Sequence, residues 1–388
     1  MKGKKRRIAI NGLGIQRGGG LTSLLGLAGA IDSVDKKNAY LIFLHTGQRH
    51  IINSLPERFS KVVFPLNIKS LFLRLIVEQF VLPLCLLWYR VDCLYSGGNL
   101  TILFAPCKLV FLIENANPYS FLKLQRSKQE TVRNIIIRFF TYVSAARADC
   151  IRFLSDDSRR LICNNYRIPA DKSFVLPHGT DSKNISSEIS TCAETGLSCR
   201  FILVVSDFYP HKNINNILEA FDILVEQFKY EGCLVIIGNF TYYNYNKYFK
   251  KVLKKIEGLK NGRKVILKGH VEHKQLYGFY KNADVFVYPS IEETFGIPLI
   301  EAMALKTPIA ASDCSKHNWN YFNPFKEVCG DSAEYFDPLD AKDMARAIHK
   351  IATDTNCRER LIKNAADQIR RYDLKDIARQ LVERFESV

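Results

Sequence analysis

Short apolar runs alternating with helical patterns predict an α/β protein built on doubly wound parallel sheets, and three observations carry that expectation. The first run, RIAI at 7–10, gives way to a glycine-rich turn from Gly12 to Gly20 and then to a small-residue helix over 21–31, the strand, loop and helix that open such a domain. A polar, Ser- and Thr-rich stretch at 181–200 lacks periodicity, and the strand-helix alternation restarts beyond it. The chain has 388 residues, 47% of them hydrophobic, enough for two cores. Two Rossmann-like domains are therefore expected, 1–190 and 191–370, facing across a deep cleft of the kind that takes a ligand.

Each element follows in order. In the first half, strand-like runs stand at 40–44, 62–64, 93–95, 109–113, 150–154 and 174–176, with helical patterns between several of them. In the second, a strand at 201–205 precedes a helix at 213–228, whose apolar positions Ile214, Ile217, Leu218, Phe221 and Leu224 share one face. Strands at 234–237, 265–268, 285–288 and 308–311 then alternate with helices at 249–256, 273–280 and 298–304, and two C-terminal helices close the pattern. Short connections of this kind favour parallel sheets covered on both faces.

Charge is divided unevenly. Residues 1–190 hold 27 basic and 13 acidic side chains, so +14 of the net +16 lies there, which speaks of an anionic surface or a phosphorylated acceptor facing that half. The 11 cysteines form no C-x-x-C pair and read as reduced core thiols, neither a disulfide framework nor a zinc site. Residues 8–10 are too short an apolar stretch for a secretory signal. The most hydrophobic window, 71–89, contains Arg74, Glu78 and Pro83, so it is expected to lie on a bilayer without crossing it, with most of its side chains buried.

The densest constellation of polar groups runs from Tyr288 to Ala304. A strand ends, a tight loop carries Glu293, and a helix starts near Pro298 with Glu301 in its early turns. The backbone N–H groups of Phe295, Gly296 and Ile297 would point donors and the positive end of the helix dipole at an entering anion, for which a phosphate is the natural tenant. Glu301 can accept hydrogen bonds from sugar hydroxyls, and Glu293 can reach a second polyol beyond the phosphate.

The run EETFGIPLIEAMALKTPIAAS, 292–312, resembles the E-x7-E donor-site signature of the retaining GT-B glycosyltransferases of family 4, which contains many sugar transferases of bacterial lipopolysaccharide, O-antigen and capsule synthesis. LVVSDFYPHKN (203–213), VLPHGTD (175–181) and FKEVCGDSAEYFDP (325–338) are similar to further stretches of that family, and 74–99 resembles one from its acceptor domain. The resemblance implies a GT-B fold with an N-terminal acceptor domain, a C-terminal nucleotide-sugar donor domain, and a last helix within 371–388, at 376–385, returning to the first domain. It places Lys212 at the donor diphosphate, Glu293 at the donor sugar, Glu301 at the nucleotide ribose and Val271 near the nucleobase. Gly18, Gly19 and Gly20 would close over the diphosphate from the opposite domain.

Two departures from the family pattern stand out. A polar group usual after the strand ending in Ser206 is missing or supplied elsewhere, Arg17 being one candidate. Glu114 stands where many members carry a histidine, which makes it an acceptor-side candidate base. No two aspartates stand two positions apart, so a metal-free site with no cofactor is expected, its diphosphate charge offset by Lys212, the glycine loop and the helix dipole. His178 and His270 are isolated and read as structural.

Two other readings weaken on inspection. A dinucleotide-dependent oxidoreductase needs a glycine three residues after Gly14 and an acidic group ending the second strand, and neither is present. A nucleic-acid-binding protein would interleave aromatic and basic residues on a platform, and the charge here is scattered. The expectation is a metal-independent, retaining transferase moving a hexose-type unit from a nucleoside diphosphate sugar to a lipid-linked or growing glycan. It would work in the cytoplasm, docked peripherally on the inner face of the membrane through the basic N-terminal domain, with limited apolar insertion.

Overall fold

In a computed structural model, which describes the chain outside residues 1–3, 16–17, 69, 116, 120–127, 183–184, 186–194, 240–246, 316 and 318–321, the apolar runs become two parallel sheets. The chain divides into two compact units: Met1–Ser120, Gln125–Gly179 and Asp373–Val388 form the first, and Thr180–Tyr372 lies in the second.

The first unit runs β1 (Arg7–Asn11), α1 (Gly18–Val34), β2 (Ala39–His45), β3 (Ser60–Phe64), α2 (Leu71–Trp88), β4 (Cys93–Ser96), β5 (Lys108–Ile113), α3 (Lys128–Arg147), β6 (Cys150–Phe153), α4 (Asp156–Tyr166) and β7 (Ser173–Val175). Its sheet has the order β3-β2-β1-β4-β5-β6-β7, parallel throughout. Ile8, Ala9 and Ile10 of the interior strand β1 are buried, as a strand covered on both faces requires.

Thr180–Tyr372 contains β8 (Phe201–Val205), α5 (Ile214–Phe228), β9 (Cys233–Ile237), α6 (Lys247–Gly258), β10 (Val265–Gly269), α7 (His273–Asn282), β11 (Val285–Tyr288), α8 (Ile297–Ala304), β12 (Ile309–Ser312), β13 (Ala333–Phe336), α9 (Ala341–Thr353) and α10 (Thr355–Gln368). The order is β10-β9-β8-β11-β12-β13, again parallel. The five apolar positions read on α5 are all buried and pack in one core with Ile202, Val204, Leu234, Ile236 and Val285. The carboxyl ends of these strands carry the loops that follow, where ligands of doubly wound sheets bind.

Four expectations need correction. Gly18, Gly19 and Gly20 are the first turn of α1, not part of a loop; a turn at 12–15 is closed by Ile15 N–H donating to Gly12 O at 3.0 Å. The stretch 325–338 folds into a short helix, Phe325–Cys329, and the edge strand β13, whose four residues, Ala-Glu-Tyr-Phe, are too few to register as a period. Three helices follow it instead of two, because Asp354 accepts from Cys357 N at 3.0 Å and caps a new helix where the pattern reads as continuous. The third, α11 (Leu374–Ser387), starts at Asp373, which accepts from Lys375 N and Asp376 N. It packs on the first unit, with the Phe385 ring 5.6 Å from that of Tyr95.

The fourth concerns α2. Only 22% of Leu71–Trp88 is buried, although the helix is long and apolar enough to span a bilayer. Its inner face carries Val77, Glu78, Leu82 and Leu86 into the unit, and Glu78 accepts from Asn11 Nδ2 at 2.8 Å. The sheet accepts one stripe of the helix and leaves the rest outside.

Candidate active site

At the carboxyl end of β11 the chain turns through a loop that carries Glu293 to the start of α8. That loop is held by its backbone: Ile291 N–H donates to His211 O at 2.8 Å and Glu293 N–H to Phe322 O at 2.7 Å. Across from it, the turn Pro210–Lys212 ends in Asn213, whose φ of 58° starts α5, while the Asn213 and Asn216 amides both donate to Pro338 O. The structure brings the two predicted residues together. Lys212 Nζ pairs with Glu293 Oε1 and lies 5.8 Å from the Tyr288 ring centroid. A cation at the start of α5 is disfavoured by the helix dipole, and the Glu293 carboxylate offsets that cost.

Burial alone would push the Glu293 carboxyl up. The Lys212 charge, His211, and hydrogen bonds from Lys212 and Tyr288 outweigh it and hold the group below the usual glutamate range. Tyr288 moves the other way, raised well above an ordinary phenol by burial and then by the Glu293 charge. The arrangement keeps one fixed negative and one fixed positive charge in a mostly desolvated place, where Coulomb interactions are strongest.

Eight residues on, Glu301 is buried in the early part of α8. Its Oε2 accepts from Tyr280 OH at 3.0 Å, and its Oε1 lies 3.1 Å from His273 Nε2. The helix begins at Gly296, whose φ of 101° suits glycine alone; a Cβ there would also press on Leu299 at 3.0 Å and Tyr288 at 3.2 Å. Phe295 is buried edge-on against Tyr372, 5.6 Å between centroids, and Ile297 and Pro298 form the first turn. Val271, partly buried, sits between β10 and α7, next to His273. A side chain at Gly238, just after β9, would collide with the Ser206 carbonyl that follows β8, so the two backbones approach closely at the carboxyl ends of these strands.

Sequence reasoning missed His273 and Tyr280. Their spacing of seven, which puts both on one face of α7 toward Glu301, is the signal that could have found them.

In the first unit, Glu114 follows β5, and its backbone N–H donates to Asn99 Oδ1 at 3.1 Å. Burial raises its carboxyl above the usual range against the pull of Arg152 and Arg74. A methyl group at Gly20 or at Gly98 would stand 3.9 Å from Glu114 Oε1, so the start of α1 and the turn after β4 converge on it. Arg74 joins them: Nε donates to Glu78 Oε1 at 2.9 Å, the guanidinium covers Gly14, and the buried Nη2 has no hydrogen-bond partner among the described residues. Gly19 is exposed on the first turn of α1, and Arg17 lies outside the described residues. His178 is buried 2.7 Å from Ser23 Oγ and pushed down to about 3 by burial and Arg152, a neutral structural group. Among the described residues, no three His, Cys, Asp or Glu side chains converge on one point.

Residues 197–368 match the glycosyl transferases group 1 family. An O-antigen chain mannosyltransferase of Salmonella typhimurium is 28% identical over 220 residues, 57% of this chain and 56% of that protein, and the chain spans little more than half the length of the curated relatives it matches. Among solved structures, sucrose-phosphate synthase from Thermosynechococcus elongatus superposes with a TM-score of 0.76 at 16% identity, over 99% of each chain. Anabaena Alr3699/HepE in complex with UDP gives 0.73 at 16% identity, over 99% of this chain and 100% of that one. The two Rossmann-like parallel sheets are thus those of the GT-B fold, and the chain is similar to O-antigen mannosyltransferases and, over residues 197–368, to the glycosyl transferases group 1 family.

Proposed function

We propose that the protein is a retaining, metal-independent hexosyltransferase that moves a sugar from a nucleoside diphosphate donor to a hydroxyl of a lipid-linked or growing surface glycan of the O-antigen, lipopolysaccharide or capsule class. The observation that carries the reading is the Lys212–Glu293 pair at the end of β11, one turn before a helix that buries Glu301. When a diphosphate enters, its oxygens compete with Glu293 for the Lys212 ammonium, which then offsets the charge left on the departing nucleotide. Glu293, relieved of its partner, accepts from hydroxyls of the donor sugar. Glu301 holds the ribose with a carboxylate already oriented by Tyr280 and His273, and the N–H groups at 295–297 face the phosphates. Val271 lies where main-chain atoms would meet the base.

Metal independence and the lack of any cofactor follow from this division of charge, with Lys212 and the α8 N-terminus in the place of a divalent ion. On the acceptor side, Glu114 is the base, kept protonation-competent by its raised pKa, and Arg74 with its spare Nη2 positions an anionic or hydroxyl-rich acceptor group. Salmonella's O-antigen mannosyltransferase supports a mannosyl-type hexose, and the UDP complex of the Anabaena protein supports a nucleoside diphosphate. Work on a lipid-linked acceptor would place the enzyme in the cytoplasm, peripheral to the inner membrane face. Hydrolysis of a panel of nucleotide sugars by the purified protein tests the reading: turnover of one donor above the rest is expected, and no turnover of any would overturn it.

A further inference from the structure

The outer surfaces of α2 and α3 are left unused by the site and are unusual for a water-facing protein. On α2, Phe72 is 73% exposed, Phe80 71%, Leu84 66% and Trp88 83%; a wide π-helical turn at Val77–Val81 brings Phe80 and Leu84 back toward the face that Phe72 and Ile76 present. On α3, Val132, Ile135, Phe139 and Tyr142 are exposed at helical spacing. Both helices are tied to one segment, 99–104. Gln79 bonds Thr101 O at 3.1 Å and Leu103 N at 2.9 Å, and Thr141 Oγ1 donates to Asn99 O at 2.6 Å. From that segment Phe104 also stands 71% exposed, with the Arg147 guanidinium 5.3 Å from its ring centroid. Exposed apolar surface of this extent marks an interaction site.

We infer that α2 and α3 seat their outward apolar faces in the headgroup and acyl boundary of an anionic bilayer, lying flat on it. The reading of a lipid-linked acceptor gives the surface its purpose, and the inference rests on that reading to this extent. Spanning is excluded by the inner face of α2, since Glu78 would have to leave Asn11 and Gln79 would have to leave Thr101, and unsatisfied groups of that kind are costly in hydrocarbon. Charge complementarity selects lipid over a second copy of the chain. Arg147 lies against Phe104, and Arg90 and Arg133 are exposed close in sequence to Trp88 and Val132, so two copies would bring like charges together, whereas anionic headgroups attract them. Trp88 and Tyr142 are side chains that favour the headgroup level.

Trp88 also supplies the test, being one of two tryptophans. In the W319F variant of this chain it is the only one. Vesicles of phosphatidylcholine with phosphatidylglycerol should shift its emission to the blue, and bromine on the acyl chains should quench it. Phe80→Ser with Leu84→Ser should lower the partition constant at least about tenfold, and Arg133→Glu with Arg147→Glu should abolish the preference over phosphatidylcholine alone. All four positions are solvent-exposed, so near-UV circular dichroism should not change; if it does, quenching in the W319F chain decides. Unchanged emission with both vesicle types, or a lipid-free dimer in sedimentation velocity that shields Trp88, would overturn the inference. Donor hydrolysis without vesicles separates the two readings: an active protein whose Trp88 ignores lipid loses the docking surface alone, and a lipid-binding protein that hydrolyses no donor loses the enzyme reading alone.

Discussion

Lys212 and Glu293 each satisfy the other before any ligand arrives, which makes them the residues most sensitive to truncation. Lys212→Ala and Glu293→Ala should each lower kcat/KM at least about a hundredfold with a matched donor, the loss expected when one preorganised charge is removed from a desolvated site. Rates near wild type for both would remove the assignment. Glu301→Ala and His273→Ala should act mainly through KM for the donor, because the ribose is held alike in ground and transition states; an effect confined to kcat would contradict that role. The pair also has a pH signature. Since the folded protein holds Glu293 below the usual glutamate range, its charge stabilises the fold at pH above that range, and this stabilisation is lost as pH falls through the lower folded value. The difference in Tm between wild type and Glu293→Gln should therefore shrink in acid, and a difference that grew there would refute the depressed pKa.

At the level of elements, the start of α8 concentrates the local constraints. Gly296→Ala puts a Cβ into left-handed backbone and against Leu299 and Tyr288, which should cost about 1–3 kcal/mol, read as a lower Tm together with a raised KM for the donor because the N–H groups at 295–297 tilt away. Much of this element was legible beforehand: Pro298 and the apolar run after it announce a helix start, and the eight-residue gap between the two glutamates fixes one in the loop and one inside. Other elements were not. Three consecutive glycines argue for a loop on propensity, each costing about 1 kcal/mol in a helix, yet they form the first turn of α1, with Gly20 near Glu114. The inner stripe of α2 is visible as polar Glu78 and Gln79 in an apolar run, but which stripe meets the sheet depends on Asn11 and Thr101, far away in sequence. His273 and Tyr280 read as ordinary helix residues until Glu301 stands between them.

For the whole molecule, the distribution of charge is the quantity with a direct test. Activity should survive EDTA, since Lys212 and a helix N-terminus are assigned the work of a divalent ion; complete loss on chelation, restored by manganese, would contradict this. The route of the chain matters as well. The first unit is completed by Asp373–Val388 only after Thr180–Tyr372 has been made, and α11 contributes the Phe385 ring that meets Tyr95, the guanidinium of Arg384 over Phe174, and a carbonyl that receives the Arg6 side chain. During synthesis at about 5–20 residues per second, the half made first therefore waits roughly 10–40 s for its last helix. Throughout that interval the ribosome-bound chain exposes the bare flank of α1, where Gly26 later meets Leu374. The unit whose strands precede Thr180–Tyr372 is thus closed only after that stretch has been made, and the flank of α1 stays bare until then.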